Sequence, residues 1–77
     1  MKTDYVLDTV GKYCPVPVID AANKLKEMKK GETLTVISDD EEIRNDIRKW
    51  CEITGNEFID EFENDSEIEL YIRRADA

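Results

Sequence analysis

Two stretches of apolar residues at helical spacing, each preceded by a short run of strand formers, constrain this chain more than any other feature. From Pro15 to Lys30 the residues Val18, Ala21, Ala22, Leu25 and Met28 fall at steps of three and four, which gathers them on one helix face. Lys29 and Lys30 suit the negative end of that helix, and Gly31 predicts its stop. Ile43, Ile47 and Trp50 repeat the helical step in a second segment that Glu41 and Glu42 open and Gly55 closes. The strand formers are Tyr5, Val6 and Leu7 within Asp4 to Asp8, and the β-branched run Thr33 to Ser38. Beyond Gly55, Phe58, Ile59 and Phe62 lie in one segment and Ile68, Leu70 and Ile72 alternate in the next. Asn64, Asp65 and Ser66 supply the turn between them. The order is β-α-β-α-β-β, an α/β two-layer sandwich in which two crossovers place both helices on one face of a single sheet.

Composition narrows what such a sandwich can do. With 77 residues there is room for one domain, spanning 1 to 77, and with 39% charged residues the apolar 40% must be concentrated on inward faces. The net charge of -8 speaks against direct nucleic-acid binding, which needs clustered Lys and Arg, and favours basic protein partners. No apolar run is long enough to cross a bilayer, and the start MKTDYVLD lacks the apolar core of a signal peptide, so a cytoplasmic location without membrane contact is expected. In a reducing compartment both cysteines read as free thiols. The chain has no histidine, which excludes Cys/His metal sites and histidine-activated nucleophiles.

The residues Gly11-Lys12-Tyr13-Cys14-Pro15-Val16-Pro17 form a loop feeding the first helix. Pro15 suits the first helical position, where its fixed φ is already helical and its missing N-H is no loss, and Pro17 is tolerated in the same turn. Cys14 then falls at or beside the N-cap, where the helix dipole and free N-H groups such as that of Val16 favour a thiolate. Lys12 adds a nearby cation. The competing reading makes Cys14 a small buried hydrophobe and the prolines mere loop stiffeners.

Cys51, inside the second helix and four residues after Ile47, reads as core; the alternative is a resolving thiol for Cys14. The run Asp39-Asp40-Glu41-Glu42 reads as capping and dipole compensation rather than as a metal cluster, because adjacent residues of one turn point apart. Trp50, Phe58 and Phe62 are expected in the core.

These motifs resemble the TusA/SirA/YedF-type family of small sulfur-carrier proteins almost from end to end. The likeness is carried by Asp8, Gly11, Cys14-Pro15-Val16-Pro17 (the CPxP motif) at a helix start, Lys30-Gly31-Glu32, Ser38-Asp39-Asp40 and Tyr71-Ile72-Arg73-Arg74. The resemblance implies a four-stranded mixed sheet of order 1-2-4-3 with the last strand antiparallel to the others. It also implies that Cys14 accepts a persulfide sulfur from a cysteine desulfurase or rhodanese-like donor and relays it to an acceptor protein, as a sulfurtransferase-like carrier that needs no cofactor. In related branches such relays lead to transfer-RNA thiolation, molybdenum cofactor maturation, sulfur oxidation or selenium handling. This chain departs from the family pattern at Val10, where a basic residue is frequent, and at Glu41 and Arg48, where prolines are common. Lys12 is a candidate substitute for the missing basic residue. Two other readings stand beside the carrier: a non-catalytic interaction module with a structural cysteine, and a redox pair formed by Cys14 and Cys51.

Overall fold

The computed structural model describes residues 2 to 75. Six elements follow in the expected order: β1 (Tyr5–Asp8), α1 (Val16–Glu27), β2 (Thr33–Ser38), α2 (Ile43–Thr54), β3 (Glu57–Asn64) and β4 (Glu67–Arg73). The sheet order is β1-β2-β4-β3, with β1 and β2 parallel and β4 antiparallel to both β2 and β3.

Alternation along the strands sends Leu34 and Val36 of β2 and Ile68, Leu70 and Ile72 of β4 to one side of the sheet. There they meet Ala21 and Leu25 of α1 and Ile43, Ile47 and Cys51 of α2 in one buried cluster, so both helices cover the same face. Trp50 and Phe58 pack against its margin. The clean period-2 and period-3.6 patterns in the sequence are the two halves of this core.

Two expectations need correction. Helix α1 ends at Glu27, three residues before Lys30, because the Met28 backbone turns extended and its side chain is drawn into the core at 4% exposure. The Arg74 guanidinium, from the far end of the chain, donates to the Leu25 carbonyl and closes the helix there. Gly31 therefore serves the loop into β2, at φ 87, with its N-H on the Arg74 carbonyl at 2.9 Å.

Phe62 is the second correction, since it is 50% exposed and lies outside the core. A β-bulge between Phe58 and Asp60 inserts one residue against β4. A single-residue shift exchanges the two faces of everything that follows. Past the bulge Glu61 and Glu63 turn toward α2, where they pair with Arg44 and Arg48, and Phe62 turns to the open face against Tyr71, ring centroids 5.5 Å apart.

Ile47 is fully buried, so Ile47→Ala should cost about 2–5 kcal/mol of unfolding free energy in a urea titration. Ile53→Ser, at an exposed position of the same helix, should change it by less than about 0.5 kcal/mol.

Candidate functional site

The loop that carries Cys14 leaves β1 at its C-terminal end and is anchored at each step. Thr9, fully buried, gives both its N-H and its hydroxyl to the Ile37 carbonyl, at 2.7 and 2.6 Å, and so extends the contact between β1 and β2 by one residue. Asp8 accepts the Val10 N-H at 3.0 Å in an Asx turn. Gly11, at φ 88, takes the left-handed conformation that the reversal needs and donates its N-H to Asp39 Oδ1 at 3.0 Å.

Asp40 makes the decisive contact. Its Oδ2 accepts the Cys14 N-H at 2.9 Å and its Oδ1 accepts the Glu42 N-H at 3.1 Å, while its own N-H bonds the buried Ser38 hydroxyl at 3.1 Å. The β2-α2 loop thus grips the Cys14 loop from the side. Those two backbone donors, Cys14 first, hold the Asp40 carboxyl below its ordinary range. Of the acidic run, Asp39 and Asp40 reach across to the Cys14 loop, and Asp40 also holds the entry to α2.

Cys14 itself is a half-buried free thiol packed against the core margin. The Cys14-Pro15 peptide is cis, and Pro15, not Cys14, occupies the cap position of α1. Pro17 is buried within the first turn. Val16 does not offer its N-H to the sulfur: it donates to the Tyr13 carbonyl at 2.9 Å. Lys12 is also diverted, with its Nζ 2.8 Å from Asp20. Of the residues singled out from sequence, Gly11 and Pro15 shape the loop, Pro17 anchors the helix start, and Lys12 ties the loop to α1.

The electrostatics reverse the expected thiolate stabilisation. Desolvation first, and then the neighbouring carboxylates of Asp46 and Asp40, push the Cys14 thiol up to about 12. A helix terminus offers roughly half a positive charge, which two neighbouring carboxylates outweigh. In the isolated protein Cys14 is therefore a protonated thiol at neutral pH. Cys51 is buried in α2, where desolvation pushes its thiol up to about 11, and both cysteines are free.

Asp46 is the neighbour of the thiol that sequence reasoning missed. A signal for it exists: it stands three residues after Ile43 and four before Trp50, at the margin of the buried stripe, where a carboxylate is unusual.

A two-layer sandwich of this topology, with a lone thiol braced at a loop-to-helix junction, defines a class of small thiol-bearing carrier domains. Comparison places the chain within it: residues 5 to 74 match the family described as Sulfurtransferase TusA, and the chain belongs to that family. The sulfur carrier protein TusA of Pseudomonas paraeruginosa is 35% identical over 71 residues, covering 92% of this chain and 90% of that protein. A protein of Aquifex aeolicus is 33% identical over 75 residues, covering 97% of this chain, which spans only 38% of that longer protein. A SirA-like protein of Desulfitobacterium hafniense has the same fold, with a TM-score of 0.76, 29% identity, and coverage of 94% of this chain and 99% of that one. Among the described residues no helix is long and apolar enough to cross a membrane.

Two measurements check the site. In a Cys51→Ala background, the rate of Cys14 alkylation by iodoacetamide should climb about tenfold per pH unit through pH 9 and beyond. Levelling near the ordinary thiol value of about 8.5 would show that the carboxylates do not hold the proton. Asp40→Ala should accelerate amide hydrogen exchange at Cys14 and Glu42 while the Leu70 amide, in the central strand pairing, stays protected.

Proposed function

We propose that this protein is a sulfur carrier in which Cys14 holds the sulfur. The observation that carries the reading is the position of Cys14: a free thiol in a Cys-Pro-x-Pro loop, fixed by Asp40 at the first turn of α1, in a chain of the TusA family. The chemistry is exchange between sulfur atoms. Cys14 as thiolate attacks the terminal sulfur of a donor persulfide R-S-SH, the new bond forms between Cys14 Sγ and that sulfur, and the donor bond breaks with its electron pair leaving on R-S⁻. Cys14-S-SH then presents the terminal sulfur to an acceptor thiolate in the same way. No electron acceptor and no cofactor is required. A cysteine desulfurase or a rhodanese-like protein has the chemistry of the donor, and the acceptor is a protein thiol reached in the reducing cytoplasm.

The resting thiol is protonated, so the carrier reading demands that the thiolate form during the encounter with a partner. The same protonated state favours a second reading, a binding module whose cysteine is structural.

Mass spectrometry separates them. Incubation with a cysteine desulfurase and cysteine, with a rhodanese and thiosulfate, or with inorganic polysulfide should add one sulfur atom at Cys14, retained in Cys51→Ser and lost in Cys14→Ser. A wild-type protein that gains no sulfur from any of the three sources sinks the carrier reading in favour of the binding module.

A further inference from the structure

Next to Cys14 in the chain, Pro15 helps line a groove of about 350 Å3 between α1 and α2, completed by Val18, Asp46, Lys49, Trp50 and Ile53. Its walls are mostly apolar, and Ile53 on its rim is 84% exposed. The groove thus opens beside the Cys14 loop, with the Asp46 carboxylate on its wall.

That carboxylate is placed unlike its neighbours. Asp40 commits both oxygens to backbone N-H groups, Asp20 is paired with Lys12, and Glu61 and Glu63 are paired with Arg44. Asp46 stands beside the Cys14 thiol and, among the described residues, has no ion-pair partner. Lys49 lines the groove without pairing to it. Two carboxylates against one ammonium leave this corner net negative in a chain of net charge -8.

We propose that the groove docks a basic segment of the partner protein, an apolar side chain seating against Val18, Trp50 and Ile53 while an adjacent Lys or Arg pairs with Asp46. The proposal rests on the carrier reading and specifies how its partner is recognised. Pairing neutralises a negative charge beside the thiol. The proton then leaves Sγ for solvent, and the electron pair of the S-H bond remains on sulfur as the nucleophile. Docking and activation are thus one event, and Asp46 is a positioning residue that keeps the thiol inert until the correct charge arrives.

Trp50, the single tryptophan of the chain, reports groove occupancy without any sulfur present. In Cys51→Ala protein, the peptide acetyl-Gly-Leu-Arg-Gly-amide at millimolar concentration, the range of weak peptide binding, should shift Trp50 emission saturably. It should also raise the rate of Cys14 alkylation by iodoacetamide at pH 7 about tenfold, the effect of lowering the thiol pKa by one unit. Acetyl-Gly-Leu-Glu-Gly-amide should do neither. Asp46→Asn should alkylate faster than its parent with no peptide present and gain nothing from the Arg peptide, whereas Asp46→Glu should keep the response. Equal effects of the two peptides, or no emission shift with either, overturn the docking proposal. Alkylation of Asp46→Asn at the parental rate overturns the role given to Asp46. None of these readouts involves a persulfide, so they fail independently of the mass-spectrometric test of the carrier.

Discussion

The carboxylate of Asp40 is the tie on which the site depends. One oxygen holds the amide of Cys14 and the other the amide of Glu42, so a single side chain fixes the β1-α1 loop and the entry to α2 relative to each other. The parallel pairing of β1 with β2 makes this possible, because it brings the C-terminal ends of both strands, and the loops that follow them, to one edge of the sheet. Thr9 and Asp39 extend the same contact on either side. The hydrophobic core sets the elements in register, and these few polar contacts set the sulfur in place.

Much of the fold is legible in the sequence because its elements obey one period each. Leu34 with Val36, and Ile68 with Leu70 and Ile72, mark their strands without ambiguity, and Ile43 with Ile47 marks α2. The errors come where the deciding contact is remote or the backbone breaks its own period. Lys29-Lys30-Gly31 has the chemistry of a helix end, yet α1 is closed by Arg74, 49 residues from Leu25 in the chain. Phe58 and Phe62 share the same parity, and only the bulge between them, which no local residue announces, sends the second to the opposite face.

The site was legible in its geometry and misread in its charge. Gly11, Cys14, Pro15 and Pro17 declare a stiff loop entering a helix, and that is what the chain builds. The start of α1 is only part of the field at Cys14: the next loop and helix bring Asp40 and Asp46 into its surroundings. Lys12, the cation that adjacency in sequence assigns to the sulfur, is captured by Asp20 across the first two turns of α1. Proximity along the chain is a poor guide to electrostatics when a tight loop can turn a long side chain away.

The carboxylates beside Cys14 bear on departure as well as on attack. When an acceptor removes the outer sulfur of a persulfide, the inner sulfur must leave with the bonding electrons, and a thiolate of high proton affinity is a reluctant leaving group. If Cys14 holds persulfide sulfur, the same carboxylates would oppose both the reaction of the empty protein with stray persulfides and the loss of its cargo to stray thiols.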